Sequence, residues 1–168
     1  IDLTSYKQLK ENIGQNKWRE RLKAFPGDVR PYAFPVKYDF IISNPPFFEN
    51  DLASEEERAQ VAKHSKSLTL DELITVIDNN LQPYGSFGIL LPWHRWAYFD
   101  KLAVANGFSL TEKLFIKQSL RHGHFRAILH YSRKHENFGP SYELVIQKED
   151  GAYTEEFTEL LKDYYLYL

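Results

Sequence analysis

The chain of 168 residues has no cysteine, no methionine and only eight glycines, and its 21 Lys and Arg are balanced by 23 Asp and Glu to a formal net charge of −2. Each shortage excludes something. Without cysteine there are no disulfides and no thiolate metal sites, and no metal is expected. Near-neutral charge removes any global electrostatic drive toward nucleic acid, so such a contact must come from a local patch. No apolar run reaches bilayer-spanning length and no signal-peptide pattern opens the chain, which sets the expectation of a soluble, cytoplasmic protein without a membrane partner. A gene product begins with methionine whereas this sequence begins with Ile1, so it is expected to be part of a longer chain. Its length suits one domain with a sizeable core, expected to be monomeric.

What the chain does have is an apolar run, Tyr38-Asp39-Phe40-Ile41-Ile42-Ser43, stopped by Asn44-Pro45-Pro46-Phe47. The run reads as a buried strand. Two adjacent prolines remove two backbone donors and forbid continuation of either ladder or helix, so Asn44 and Phe47 stand at a rigid strand end. Asn-Pro-Pro can be a mere terminator, but open α/β sheets place their ligands at such ends.

The rest of the chain alternates helix and strand. Leu3, Tyr6, Leu9 and Ile13 have helical spacing over 3–15, with Thr4 or Ser5 as cap and Gly14 as stop. Arg21 to Phe25 is a short candidate strand closed by Pro26-Gly27, and the acidic stretch 49–58 reads as a loop or exposed helical turn. Leu73, Ile74, Ile77 and Leu81 mark an amphipathic helix over 70–81, introduced by Thr69 or Asp71. Tyr84-Gly85-Ser86-Phe87-Gly88 reads as a turn into the strand Ile89 to Leu91, ended by Pro92. A helix over Trp93 to Asn106 stops at Gly107. Strands are expected over Phe108 to Lys117, Phe125 to Ser132 and Tyr142 to Gln147, joined only by loops and therefore pairing antiparallel at a sheet edge. A terminal helix over Glu155 to Leu166 should turn Phe157, Leu160, Leu161 and Tyr164 inward.

This order describes most of a doubly wound, mostly parallel α/β sheet with antiparallel strands at one edge. A Rossmann-like fold also needs a first central strand with a glycine-rich turn against its cofactor, and no G-x-G-x-x-G occurs here. The first strand is therefore expected to be missing from this chain, with residues 1–168 forming the C-terminal major part of a single domain. Without that strand its neighbours would keep unpaired edges, so these residues alone are not expected to complete a stable fold.

The chain resembles the class I S-adenosylmethionine-dependent methyltransferases, and within them the N-P-P-[FY] group that methylates amino nitrogens. It is most similar to the bacterial tRNA adenine-N6 methyltransferases that modify the adenine beside the anticodon of a valine tRNA. The resemblance rests on Ile1-Asp2, Gln8, Glu11, Asn12, Ile13, Trp18, Gly27-Asp28, the run Tyr38 to Phe47, Tyr153-Thr154-Glu155-Glu156-Phe157 and Tyr164-Tyr165-Leu166. It implies S-adenosylmethionine as cofactor and tRNA as partner. It also implies cofactor contacts at Asp28 and Val29, at Asp2 near a ribose, and at Asn44. Asp28 could instead simply make an Asx-turn.

The chemistry suits an amino-group target. An adenine N6 lone pair is delocalised into the ring, so N6 is a poor nucleophile until that pair is localised. The Asn44 side-chain oxygen and the Pro45 carbonyl can each accept one N6–H, and two acceptors off the base plane favour a pyramidal nitrogen aimed at a sulfonium methyl. Positioning then does most of the work, with no strong base. Pro46 keeps the loop rigid, and Phe47 would stack on the base at about 1–3 kcal/mol. A carboxamide nitrogen needs the same two acceptors, so glutamine-N5 methylation of a release factor is a rival. Guanine-N2 methylation of ribosomal RNA is a variant. A non-catalytic RNA-binding fragment is the reading from another class. Phe47 followed by Phe48, rather than tyrosine, tilts the choice toward a base.

RNA contact is expected from one concentrated basic run, in which Lys117, Arg121, Arg126 and Arg133 are mixed with His122, His124, Lys134 and His135. Several phosphate contacts there would supply the salt-dependent affinity that the total charge does not. Otherwise the run is a solvated loop face. Phe48, Lys63 and His64 form a smaller candidate beside the Asn-Pro-Pro-Phe loop.

Overall fold

The computed structural model describes residues 3–45, 68–133 and 139–165. They fall into two compact units, Ile1–Pro35 and Val36–Leu168. In the first, α1 (Leu3–Gln15) forms as its spacing predicts, with Tyr6 and Ile13 half-buried. The expected strand over Arg21 to Phe25 does not form. Arg19–Arg21 is a single 3₁₀ turn, and Leu22 is extended (φ −103°, ψ 131°). An extended segment becomes a strand only with a ladder partner, and among the described residues it has none. The unit is held instead by Phe25, Tyr32 and Phe34, whose rings pack with centroids 4.7–6.0 Å apart.

The second unit is a five-stranded open sheet. Its elements are β1 (Tyr38–Ser43), α2 (Leu70–Asn80), β2 (Leu81–Pro92), a 3₁₀ turn (Trp93–Arg95), α3 (Trp96–Ala105), β3 (Ser109–Ser119), β4 (His124–Ser132), β5 (Ser141–Gln147) and α4 (Glu155–Leu161). The spatial order is β1-β2-β4-β3-β5. β1 and β2 are parallel, β4 is antiparallel to both β2 and β3, and β5 is parallel to β3. Four strands thus share one direction and β4 alone is reversed, inside the sheet. The sheet is mixed rather than mostly parallel, with two parallel and two antiparallel pairings, and the expected pairing of β4 with β5 does not form. After β4 the chain passes β3 and adds β5 to its far side. Gly139 lies on that crossing, where a Cβ would overlap the Thr111 carbonyl.

Local chemistry explains the element boundaries. Thr69 and Glu72 form a complete capping box at the start of α2: the Thr69 hydroxyl accepts from the Glu72 N–H at 3.1 Å, and the Glu72 carboxylate accepts from the Thr69 N–H at 2.8 Å. The helix runs straight into β2, so the turn expected at Tyr84 to Gly88 is strand instead. Its glycines mark an irregularity rather than a reversal: Tyr38 faces Leu81 while Phe40 already faces Ser86. A Cβ on Gly85 would come within 2.7 Å of the Leu81 side chain.

The core lies between the sheet and α2 and α3. Leu73, Ile74 and Ile77 of α2 and Phe99 and Ala103 of α3 meet Phe87, Ile89, Leu91, Ala127, Leu129 and Tyr131, which point to the same face of β2 and β4. At its centre Phe87 stacks on Tyr131 (5.0 Å, 17°) and meets Phe108 edge-on (5.0 Å, 89°). The buried Tyr131 hydroxyl donates to Asp100 at 3.1 Å, and burial keeps that phenol far above its ordinary pKa. Among the described residues β1 lies at the edge of the sheet. Ile41 packs on the core, while Phe40 and Ile42 are 52% and 79% exposed. The terminal helix is also shorter than expected, and Leu160 and Tyr164 are exposed rather than inward. No helix among the described residues is long and apolar enough to cross a membrane.

Candidate active site

Because β1, β2, β3 and β5 run one way, their C-terminal ends share one edge of the sheet, together with the start of β4. Asn44 and Pro45 follow the last paired residue of β1, Ser43, which faces Ile89. Asn44 is exposed and Pro45 is buried. One strand across, Pro92 ends β2 opposite Arg126. Trp93 follows it and stacks on His124 (4.3 Å, 30°), with Phe115 edge-on at 4.4 Å. The edge therefore carries an exposed amide, a buried proline whose carbonyl can still accept a hydrogen bond, and an aromatic block beside them. Pro46, Phe47, Phe48, Lys63 and His64 lie outside the described residues, as does Asp2.

Asp28 and Val29 belong to the first unit. Asp28 does make the Asx-turn: its Oδ1 accepts from the Arg30 N–H at 3.0 Å, and the Arg30 guanidinium donates to both carboxylate oxygens at 3.0 Å through Nε. The Arg30 side chain, then its backbone N–H, hold the Asp28 carboxyl at about 2. The group is thus ionised and still partly exposed, so its remaining acceptor capacity faces solvent. The ionised Asp28 can accept from an amino or hydroxyl group of an adenosyl cofactor; separately, the exposed Asn44 amide can both donate and accept.

The basic residues divide. Lys117, paired across the ladder with His124, and Arg126, paired with Ile116, both lie toward the edge that carries Asn44, and Arg121 lies in the turn beyond them. Lys117 Nζ is 2.9 Å from Glu143, which also receives His124 Nε2 at 2.6 Å. Lys117 first and His124 second hold the Glu143 carboxyl below its ordinary pKa. Arg121 pairs with Glu149 at 3.1 Å, both exposed. Arg126 lies 5.5 Å from the Phe125 ring. Arg133 does not join them. It sits at the opposite end of β4, seven residues and about 23 Å away by strand rise. There it pairs with Asp78 at 2.8 Å, donates to the Asp78 carbonyl and rests on Phe108. Its neighbours make it a clamp between α2 and the sheet.

Sequence reasoning named His124 only as part of the basic run, and missed Trp93 and the carboxylates Glu143 and Glu149. No local spacing could have found the last two, because they reach Lys117 and Arg121 only through the parallel β3–β5 register. Among the described residues no cluster of three or more His, Cys, Asp or Glu is placed to hold a metal ion.

The fold is one found in a solved methyltransferase. The chain superposes with a TM-score of 0.70 on a predicted O-methyltransferase from Agrobacterium tumefaciens, over 96% of this chain and 74% of that one, at 11% sequence identity. No protein-family model matches it. It is 35% identical over 169 residues to the tRNA1(Val) (adenine(37)-N6)-methyltransferase of Dyadobacter fermentans, covering 99% of this chain and 70% of that protein. It is 31% identical to the enzyme of the same name from Photorhabdus laumondii, covering 99% and 69%. The chain belongs to the tRNA1(Val) (adenine(37)-N6)-methyltransferase family.

Proposed function

We propose that the protein transfers a methyl group from S-adenosylmethionine to N6 of adenine 37 in tRNA1(Val), acting as a monomer in the cytoplasm. The observation that carries the reading is Asn44-Pro45 at the exposed carboxyl end of β1, in a chain of this family. When bound, the cofactor supplies an electrophilic methyl carbon on a positively charged sulfur. The protein holds the nucleophile. The Asn44 side-chain oxygen and the Pro45 carbonyl accept the two N6–H groups, turn the lone pair out of the ring plane and fix its direction. Among the described residues the Asn44 amide has no hydrogen-bond partner, which leaves its oxygen available. Asp28, kept ionised by Arg30, and Val29 are read as cofactor contacts, and so is Asp2. Phe47, after the rigid Pro46, is read as the plate on which the base stacks, with Phe48, Lys63 and His64 contacting the RNA close by. Lys117, Arg121 and Arg126 supply phosphate contacts. Arg133 is supported only as a structural residue.

The test is incubation of the full-length protein with labelled cofactor and, separately, total tRNA, ribosomal RNA and a release factor. Label is expected in tRNA alone, at one adenine N6. Label in the release factor or in ribosomal RNA would overturn the base assignment. Asn44→Ala is expected to abolish transfer while cofactor affinity changes by no more than a few-fold, and unchanged turnover would dismiss the amino clamp.

A further inference from the structure

The apolar stretch of β1 does not by itself fix where the strand stops along β2. Ile41 and Ser43 stand opposite Phe87 and Ile89, which belong to the core, whereas Phe40 and Ile42 stand opposite Ser86 and Gly88 on the other face. A slip of one residue exchanges the two faces of a strand. With apolar side chains on both, burial alone gives such an exchange little resistance.

The register is set instead where β1 begins. From Tyr38 to Phe40 β1 advances two residues while β2 advances five, from Leu81 to Ser86, so β2 bulges there. Within the bulge Gln82 Nε2 donates to the Lys37 carbonyl at 3.3 Å, which ties it to the residue before β1. Gly85 closes it. A Cβ at this position would stand 2.7 and 2.9 Å from Cγ and Cδ1 of Leu81 and 3.0 Å from the Asp39 carbonyl oxygen. Neither neighbour can turn aside: Leu81 is 1% exposed within the core, and the Asp39 oxygen is backbone. On its other side β2 is held by β4, with Ser86 opposite Ser132. What remains free to shift is β1 along β2. Beyond the bulge the ladder runs regularly to Ser43 opposite Ile89, so its starting point also decides where Asn44 stands. A slip of one residue would carry Asn44 about 3.3 Å along the sheet and turn it to the opposite face. Misplacing a positioned group by about 1 Å can already cost about 100-fold in rate.

We propose that Gly85 is a positioning residue for methyl transfer: by leaving room for Leu81 and the Asp39 carbonyl, it holds β1 in the one register that sets Asn44 at the site. The proposal rests on the functional reading above, in which Asn44 holds the amino group, and adds to it what places Asn44. Gly85 itself touches neither substrate nor cofactor.

The test compares Gly85→Ala with Gly88→Ala in the full-length protein. Both add one methyl to β2. A Cβ on Gly88, which lies opposite Ile42 and nearer to Asn44, meets only the Phe40 ring at 3.5 Å, an ordinary contact. Gly88→Ala is therefore expected to keep the kcat of the wild type. Gly85→Ala is expected to lose about 100-fold or more in kcat on tRNA. Its KM for tRNA should change by no more than a few-fold, because the phosphate contacts lie on other strands, and cross-strand NOEs should show Ile42 displaced from Gly88. Leu81→Ala/Gly85→Ala, which removes the side chain that the new methyl meets, should regain the register and the kcat of Leu81→Ala, and it decides the matter if Gly85→Ala does not fold. Full turnover in Gly85→Ala, a loss of turnover with Ile42 still opposite Gly88, or no recovery in the double variant overturns the proposal. Absence of methyl transfer to tRNA by the wild type overturns the functional reading, while the NOEs still report whether Gly85 sets the register.

Discussion

The division of the basic residues makes a quantitative prediction about salt. Each phosphate contact releases counterions, so log K falls with log[salt] by about 0.7 per contact for single strands and about 0.9 for duplex. Replacing Arg121 and Arg126 together with alanine should therefore flatten the slope by about 1.4–1.8. Between 50 and 200 mM salt the double variant would lose about 7–12-fold less affinity for tRNA than the wild type. The Arg121–Glu149 pair does not cancel this, because exposed pairs are weak, about 0–1 kcal/mol, and a phosphate can displace the carboxylate. Glu149→Gln, which removes that competitor, should raise affinity at low salt. Arg133→Ala should leave the slope untouched, since its guanidinium is engaged by Asp78 at the far end of β4. Its loss should instead lower stability by about 1–2 kcal/mol as a half-buried ion pair and hydrogen bond are broken. Fluorescence anisotropy of labelled tRNA across the salt series measures the slopes. Parallel lines for the wild type and the double variant, or a flattened line for Arg133→Ala, would refute the division.

Thr69→Ala removes the capping box of α2 and is expected to cost about 1 kcal/mol, seen as a fall of about 2–4 °C in the circular-dichroism melt; an unchanged melt would deny the cap a role. Asp28 has a lowered folded pKa, so its contribution is present above its ordinary value of 3.8 and is lost as pH falls through about 2. A carboxyl-detected NMR titration should place its midpoint near 2, and Arg30→Ala should move it back toward 3.8; a midpoint that stays low would assign the shift to another cause. Gly139→Ala should destabilise the protein by about 1–3 kcal/mol or displace β5, because its methyl meets a backbone carbonyl that cannot rotate aside. Hydrogen exchange along β5 would locate the effect, and unchanged protection would contradict it.

The helices and the late strands were legible because their signals are local: apolar periodicity, a Thr-x-x-Glu box, glycine after the last turn of α3. Two features were not, and for one reason. The antiparallel β4–β5 pairing inferred from short loops fails because strand neighbours are set by where a chain can bury its apolar face. The passage of residue 139 against Thr111 takes β5 to the other side of β3. The partners of Lys117 and Arg121 come from that same parallel register, so an ion pair between residues 26 or 28 positions apart leaves no trace in spacing. The terminator Asn44-Pro45 was legible as a strand end from proline chemistry alone. The partner of its strand was not, since Phe40-Ile41-Ile42 reads the same beside any strand, and the parallel pairing with β2 emerges only from the fold. Arg133 could not be separated from Arg126 by charge, only by the length of the strand between them.

The reversed strand also has a consequence for how the molecule assembles. Four residues join β3 to β4, while 37 separate the end of β1 from the start of β2. Closing a short turn takes microseconds or less, and closing a long loop costs more entropy before any contact rewards it. The β3–β4 hairpin should therefore be an early template, onto which β2 adds along β4 and β1 arrives last. The segment bearing Asn44 then docks onto an edge that is already built, and sequence changes within its long connection should slow β1 docking while leaving the hairpin and its projecting turn intact.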